Sequence, residues 1–314
     1  MRRITLYSFL TLTIVIAAGF YYLVVDGRVP KQSNYKINLP ELRRLANAPA
    51  EKRPTAIEVE IIGSDQIPTM AAQAGFDRTP LTLIRTAFRL KSPWGDTLID
   101  VGMDRYVSKT FKSGAKFDDA AMARVAEALS SSKRIVVTHE HPDHLGYLAR
   151  FSGIDAIADN LRLTKEQIQG TAQYADDKKV PTALNRIRPI PTEQYSVVAP
   201  GVVAIPAAGH TDGSMMFYVR TRDEKELLFL GDVVWTMSNI RDKTGRPRLV
   251  QYHLMQTKED RGKVYSQLRS LVELSRSNPN LVLIPSHDES HIRELIQSNL
   301  LGAGFRPRAP ELAN

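Results

Sequence analysis

The sequence contains no cysteine, so disulfides, thiolate metal ligands and a cysteine nucleophile are all excluded. Any metal ion must therefore be held by histidine and carboxylate side chains. Aromatic residues make up only 7% of the chain, and its 42 Lys and Arg residues are spread along the sequence rather than gathered in one tract. Despite a formal net charge of +8, the chain thus lacks the clustered basic signature of nucleic-acid-binding proteins, and we expect no nucleic-acid partner.

Charged side chains are also absent from one long stretch, residues 4–25. This stretch is long enough to cross the core of a bilayer, so we predict an N-terminal transmembrane helix that anchors the protein to a membrane. Arg2 and Arg3 before it favour a cytoplasmic N-terminus, whereas Arg28 and Lys31 beyond it oppose that orientation. The prediction is a single-pass protein of the inner (plasma) membrane whose main domain lies on the periplasmic side.

A cleaved signal peptide is the alternative to an anchor. The small residues at 17–19 resemble a cleavage site, and cleavage there would release the protein into the periplasm. The mature chain would then begin with the apolar residues 20–25, which favours the uncleaved anchor. We therefore divide the chain into an anchor or signal at residues 1–25, a linker at 26–54 and a folded domain at 55–314.

The linker and the domain differ in their sequence pattern. Residues 26–54 are largely polar and contain several prolines and one short predicted helix around residues 42–46, which is typical of a tether that holds a domain away from a membrane. From residue 56 onwards, short apolar runs alternate with turn residues. Strands are predicted at residues 56–62, 81–90, 97–101, 134–138, 202–205, 215–219, 227–230 and 281–284, and helices at 117–130, 258–277 and 289–300. This mixture indicates an α/β or α+β fold.

Four potential metal ligands lie within six residues, directly after the predicted strand at 134–138. They are His139, His141, Asp143 and His144. Alternate residues of an extended loop point the same way, so His139 and His141 can hold one cation. The turn that follows directs Asp143 and His144 towards a second cation. The cluster therefore predicts a metal site rather than four independently packed side chains.

Three further residues of ligand type follow apolar runs, namely His210, Asp232 and His287. A carboxylate or imidazole at the point where a buried strand stops lies at the edge of a sheet, where functional sites are usually built. We therefore expect these three side chains to join the cluster at 139–144.

With these residues, the sequence resembles the metallo-β-lactamase superfamily, whose pattern is His-x-His-x-Asp-His followed by a distant Gly-His, a Gly-Asp and a final His. The resemblance covers residues 56–300 and is nearest to glyoxalase II-like and lactonase-like members. It implies an αββα sandwich, here preceded by the transmembrane helix. By position, the resemblance implies that His139, His141 and His210 hold one metal ion, that Asp143, His144 and His287 hold a second, and that Asp232 bridges both.

The expected cofactor is a pair of Zn²⁺ ions, because zinc suits imidazole and carboxylate ligands, although iron and manganese fit the same ligand types. Two cations that share Asp232 would hold a bridging hydroxide for attack on a carbonyl or phosphoryl centre. Asp143 is a ligand and a candidate proton acceptor. The predicted catalytic residues are thus Asp143 and Asp232.

The bridging Asp232 also bears on the substrate. Within the superfamily that this sequence resembles, enzymes that hydrolyse β-lactams lack this aspartate, whereas thioesterases, acyl-homoserine lactonases and phosphodiesterases have it. Lactonases of this type place a tyrosine three residues further on, where this sequence has Trp235. We predict a small-molecule carboxylic ester, lactone or thioester as the substrate. The alternatives are a phosphodiesterase, a sulfur dioxygenase of the same fold and a non-catalytic metal-binding module.

Other residues near these motifs are open to two interpretations. Asp100 either orients a ligand or is a turn residue at the end of a strand. The segment 237–257 is rich in basic residues and is predicted to form one wall of the pocket, where its arginines could meet a phosphate. His253 and His291 lie outside the pattern, and plain surface roles are expected for both.

Overall fold

Two β-sheets form the centre of the domain. The computed structural model describes residues 2–111, 115–254 and 259–306. The strands of this part of the chain are β1 (Ala56–Pro68), β2 (Pro80–Lys91), β3 (Thr97–Ile99), β4 (Lys116–Phe117), β5 (Arg134–Val136), β6 (Leu161–Arg162), β7 (Ser196–Ala199), β8 (Val202–Pro206), β9 (Met215–Arg220), β10 (Glu226–Gly231), β11 (Leu281–Pro285) and β12 (Gly302–Ala303).

The α-helices are α1 (Arg2–Phe20), α2 (Leu39–Leu45), α3 (Thr69–Ala72), α4 (Arg105–Phe111), α5 (Asp119–Ser131), α6 (Pro142–Leu145), α7 (Ile154–Ile157), α8 (Lys165–Gly170), α9 (Met237–Arg241), α10 (Arg261–Ser277) and α11 (Glu289–Gln297). The segments Tyr21–Val25 and Val250–Leu254 form single π-helical turns. The first sheet has the order β12-β1-β2-β3-β5-β6, with β4 paired to β1, and the second has the order β11-β10-β9-β8-β7.

The two sheets pack face to face, and helices cover their outer faces. Apolar side chains of both sheets share one core, in which the rings of Phe88 on β2 and Phe229 on β10 meet edge to face at 4.9 Å. Leu268 of α10 packs on the outer face of the second sheet, and Val125 of α5 packs on the outer face of the first. The layers are therefore α, β, β and α, which confirms the predicted class.

The sequence of strand β10 is continuously apolar because both faces of the strand are buried. Leu227 and Phe229 point into the core between the sheets, whereas Leu228 and Leu230 point towards α10. Successive side chains of a strand alternate between its two faces, so a strand buried on both faces needs apolar residues at every position. The run ends at Gly231, beside the loop that carries Asp232.

Part of the predicted linker packs on the second sheet. Leu39, Leu42 and Ala46 are buried in the same core cluster as α10. The hydroxyl of Tyr35 donates a hydrogen bond of 2.6 Å to the carbonyl of Pro206 on β8, and the Arg43 guanidinium binds the Glu226 carboxylate through two contacts of 2.7 Å. Residues 35–46 therefore lie against the domain, because apolar side chains spaced among the polar ones supply a buried face.

The N-terminal helix extends away from these layers. Residues 6–25 form a helix that is long and apolar enough to cross a membrane, judged by length and composition. Its side chains are almost all exposed, in contrast to those of a core helix. An apolar helix with its side chains exposed in this way is compatible with the predicted anchor and equally with a signal sequence.

Candidate metal centre

Seven buried side chains converge where strands of both sheets end. They form two groups, His139, His141, His210 and Asp232 in the first and Asp143, His144 and His287 in the second, and the ligand-type atoms of each group lie within 4.8 Å of one another. The structure thus brings together all seven residues that are predicted as ligands, with Asp232, the predicted bridge, in the first group. Four of them follow β5, one lies between β8 and β9, one follows β10 and one follows β11.

Asp232 lies between the two groups, and each of its carboxylate oxygens faces a different one. Oδ2 is 3.4 Å from Nε2 of His210 and 3.8 Å from Nε2 of His139. Oδ1 is 2.9 Å from Nε2 of His287 and 3.4 Å from Nε2 of His144. This is the arrangement that a bridging carboxylate requires.

Gly231 allows the chain to place Asp232 in this position. Its φ of +52° lies in the left-handed region, which side chains disfavour. A Cβ atom at this position would come within 2.9 Å of the Cβ of Thr138 in the neighbouring loop. A larger residue would therefore clash with the loop that carries the first histidine.

The histidines are oriented by partners on the side away from the centre. In four of them Nδ1 contacts an oxygen atom, which leaves Nε2 to face inward. These contacts are His139 with Thr138 Oγ1 at 3.1 Å, His144 with Asp100 Oδ2 at 2.8 Å, His210 with Glu259 Oε2 at 3.0 Å and His287 with the Ile84 carbonyl at 2.7 Å. In metalloproteins such partners fix the ring orientation and the tautomer of a ligand.

The ring nitrogens of the three histidines in the first group point towards one another. Nδ1 of His141 lies 3.0 Å from Nε2 of His139 and 2.9 Å from Nε2 of His210. Burial and, to a smaller extent, the neighbouring His144 lower the pKa of His139 well below its usual value. Burial and the neighbouring His210 lower the pKa of His141 to about 3. Neutral imidazoles with converging lone pairs are suited to a shared cation.

Neighbouring charges as well as burial determine the pKa values of the second group. Burial lowers the pKa of His144, but the carboxylates of Asp100, Asp143 and Asp232 together raise it to about 9. Burial raises the pKa of Asp143, but the charges of His144 and Arg85 lower it below its usual range. Asp143 is therefore ionised, as a metal ligand must be, and this also makes it a weak proton acceptor.

Asp100 fulfils both of the interpretations that its sequence allows. It follows β3 with a φ of +62°, as a turn residue. Its carboxylate accepts a hydrogen bond of 2.7 Å from the backbone N–H of Thr138 and contacts Nδ1 of His144. The turn therefore presents the carboxylate that orients a histidine of the second group.

Glu259 and Arg85 belong to the centre, although the sequence motifs do not include them. Glu259 is buried, contacts His210 and accepts a hydrogen bond of 2.8 Å from Nη2 of Arg246. Arg85 on β2 places Nε 2.8 Å from Oδ2 of Asp143. Neither residue stands at the end of an apolar run, and neither belongs to a cluster of ligand-type residues. The sequence therefore gives no indication that they contact the centre.

Two arginines of the basic segment 237–257 pair with carboxylates of the protein, whereas they were predicted to be available for a phosphate. Arg246 is only 2% exposed and pairs with Glu259, so it is not available to bind a phosphate. Arg248 contacts the carboxylate of Asp26 at 2.8 Å, whereas Arg241 is exposed. Residues 255–257 of the predicted wall lie outside the described residues.

Trp235 is the aromatic residue that lies beside the carboxylate of Asp232. Its indole N–H donates a hydrogen bond of 2.9 Å to Oδ2 of Asp232. The guanidinium of Arg246 lies 4.9 Å from the centre of its ring. Trp235 thus supplies an apolar wall with one polar donor at the edge of the centre.

Glu140, His253 and His291 are not in either group of ligand-type side chains. Glu140 accepts a hydrogen bond of 2.8 Å from the backbone N–H of Gly213 and another from the hydroxyl of Thr211, so it holds the loop that carries His210. His253 is exposed. His291 donates to the Leu283 carbonyl at 2.9 Å.

The donor set as a whole fits metal ions of the zinc type. It combines imidazole nitrogens with carboxylate oxygens, all buried, and the chain contains no thiolate. Seven ligand-type residues exceed what one tetrahedral ion can use. The ligand atoms, their division into two groups and the position of Asp232 therefore suit two cations.

The sequence matches a family model described as the metallo-beta-lactamase superfamily over residues 91–287 of its 314 residues. All seven residues of the two groups fall within this range. No curated protein matches the chain.

Several solved structures share the fold. An N-acyl homoserine lactone hydrolase with the product N-hexanoyl-L-homoserine bound at its catalytic metal centre has 17% sequence identity and a TM-score of 0.59, over 77% of this chain and 96% of that one. A quorum-quenching N-acyl homoserine lactone lactonase has 16% identity and a TM-score of 0.57, over 77% and 95%. A probable metal-dependent hydrolase from Staphylococcus aureus has 13% identity and a TM-score of 0.57, over 76% and 91%.

Proposed function

This chain belongs to the metallo-β-lactamase superfamily, and from that premise we propose that it is a metal-dependent hydrolase with two metal ions that cleaves a carboxylic ester, lactone or thioester. The observation that carries the proposal is the position of Asp232, whose two oxygens face two separate groups of imidazoles. When bound, two such ions lower the pKa of a water molecule and polarise the bond to be cleaved.

Different side chains would bind the two metal ions, orient the ligands and hold the charge of Asp143. His139, His141, His210 and Asp232 would hold one ion, and Asp143, His144, His287 and the other oxygen of Asp232 would hold the second. Asp100 and Glu259 would keep two of the imidazoles in the orientation and tautomer that ligation needs. Arg85 would keep Asp143 ionised.

Two features favour an acyl substrate over a phosphodiester. The buried Arg246 and the partly buried Arg248 are paired with Glu259 and Asp26, so the charges of these two arginines are already neutralised. Trp235 contributes an apolar surface beside Asp232, which suits an acyl group. The lactone hydrolases of similar fold support this proposal by analogy, although here Trp235 stands where lactonases have a tyrosine.

The test is a comparison of substrates under identical metal loading. The full-length protein in detergent is assayed with p-nitrophenyl butyrate, an acyl lactone, an acyl thioester and bis-p-nitrophenyl phosphate. We expect the highest kcat/KM for an acyl substrate and its loss in His141→Ala, whereas His253→Ala, an exposed histidine, retains it. A kcat/KM for the phosphodiester about tenfold above that of the best acyl substrate would overturn the assignment.

We also propose that residues 6–25 anchor the protein in the inner membrane, with the hydrolase domain in the periplasm. The support is a helix of spanning length whose apolar side chains are exposed. The protein should stay in the membrane fraction after an alkaline wash, and protease added to spheroplasts should digest the domain. Release of a fragment that begins near Phe20 would show signal cleavage instead and would refute the anchor.

A further inference from the structure

The domain makes direct contacts with the last turns of the N-terminal helix. Nη1 of Arg248 donates to the carbonyl of Tyr22 at 2.9 Å, and the Arg248 guanidinium lies 4.1 Å from the centre of the Tyr22 ring. The backbone N–H of Gly75 donates to the carbonyl of Val24 at 3.2 Å. The rings of Phe20 and Phe76 lie 6.0 Å apart. The helix is therefore joined to the domain before its apolar span has ended.

The length of the helix sets the level of these contacts in a bilayer. The apolar span of 20 residues, Leu6–Val25, is about 30 Å long at a rise of about 1.5 Å per residue, which matches a hydrocarbon core of about 30 Å. Phe20 lies five residues before the end of this span, or about 8 Å below its outer end. Residues 6–20 alone would cover only about 22 Å, which is too short.

A bilayer that accommodates the span must therefore reach the part of the domain that touches Phe20 and Tyr22. We call Phe76, Arg248 and Tyr252 the juxtamembrane rim. Phe76 is 69% exposed and Tyr252 is 37% exposed. Aromatic side chains combined with arginine are typical of the headgroup layer, whereas an exposed phenylalanine beside an apolar helix is costly in water. The exposed Arg28, just beyond the span, adds a cation at the same level.

We propose that the juxtamembrane rim docks on the surface of a phospholipid bilayer, with the Phe76 side chain at the boundary between acyl chains and headgroups. This proposal rests on the membrane anchor proposed above. The domain is then clamped to the membrane surface rather than suspended above it by a flexible tether. The candidate metal centre is then also close to this surface. Arg248 of the rim is separated by one residue from Arg246, Arg246 packs on Trp235, and Trp235 donates a hydrogen bond to Asp232.

The absence of cysteine makes a direct test simple, because one introduced cysteine is the only site of labelling. Full-length Phe76→Cys carries a nitroxide label and is reconstituted in vesicles of phosphatidylethanolamine and phosphatidylglycerol. Val197→Cys is the matched control, since Val197 is 54% exposed on β7 at the edge of the second sheet. Ile14→Cys reports on the anchor itself. The readout is the collision rate of each label with apolar oxygen and with a water-soluble nickel complex.

We expect the label at residue 76 to collide preferentially with oxygen, as the label at residue 14 does, and the label at residue 197 to collide with the nickel complex. If the label at residue 76 behaves like the label at residue 197 while residue 14 is in lipid, the anchor stands and the docking proposal is wrong. If residue 76 is shielded from both reagents, protein rather than lipid covers it, and docking is again refuted. If residue 14 is also in water, the anchor itself is refuted.

Discussion

The imidazole of His210 depends on a buried ion pair for its orientation. Glu259 contacts Nδ1 of His210 on one side and Arg246 on the other. Burial raises the pKa of Glu259, but Arg246, His210 and Gln251 together lower it to about 2, so the carboxylate is ionised at every physiological pH. Its charge strengthens the imidazole as a ligand while Arg246 compensates for its burial.

Glu259→Gln should therefore weaken metal binding at the first site. Loss of a carboxylate that orients a ligating histidine typically lowers metal affinity about 10- to 100-fold. A competition titration with a chelating dye measures the affinity of each of the two ions in full-length protein. Glu273→Gln removes an exposed carboxylate on α10 and should leave both affinities unchanged.

The number of ions affected distinguishes a positioning role from unfolding. Loss of one affinity with the other preserved supports the role of Glu259, whereas loss of both would indicate that the fold has been damaged. Equal affinities in Glu259→Gln and in the unaltered protein would contradict the account.

At this scale the sequence predicts the residues that could bind metal but not the residues that support them. His139, Asp232 and His287 are predicted because each follows a strand whose apolar run is visible in the sequence. Glu259 and Arg85 reach the centre from the start of a helix and from the middle of a strand, and only the packing of these elements against the centre determines their contacts.

Among the elements, α2 lies where a short helix was predicted, but it packs on the domain and does not form part of a free tether. Asn38 caps the helix by accepting a hydrogen bond of 3.2 Å from the backbone N–H of Glu41, and Pro40 lies in the first turn. Leu42 is fully buried against the second sheet. The few apolar residues of this short helix stand among charged residues, which gives the segment the composition of a linker. Its packing on the second sheet could therefore not be predicted from the sequence.

Leu42→Ala should destabilise the domain by about 2–5 kcal/mol, because truncation of a buried leucine leaves a cavity. Urea unfolding of full-length protein, followed by tryptophan fluorescence, measures the change. Arg44→Gln on the exposed side of the same helix should alter the free energy of unfolding by no more than about 0.5 kcal/mol. Identical midpoints for Leu42→Ala and the unaltered protein would show that α2 is a dispensable part of a linker.

The strands follow the sequence more closely than the linker does. The apolar runs at residues 202–205, 215–219, 227–230 and 281–284 become β8, β9, β10 and β11. Strands β4, β6 and β12 are two residues long and were not predicted, because so short a segment has no periodicity of its own. Their pairing depends on neighbours that are distant in sequence.

At the scale of the whole molecule, the family resemblance that the ligand motifs carry implies the αββα layers, and the structure confirms them. The relation of the domain to the N-terminal helix could not be predicted. Contacts such as those of Arg248 with Tyr22 and Asp26 join residues more than 200 positions apart, and no local pattern marks them. The proposed position of the candidate metal centre relative to a membrane therefore rests on these contacts and not on a sequence pattern.

The most direct test of the central claim is the metal content of the purified full-length protein, measured by elemental analysis. We expect about two ions per chain, because Asp232 faces two separate groups of ligand-type side chains. Asp232→Ala should lose both metal occupancy and activity, whereas Asp212→Ala, an exposed aspartate of a nearby loop, should keep them. A single tightly bound iron with oxygen consumed during turnover, or two ions retained in Asp232→Ala, would contradict the dinuclear hydrolase.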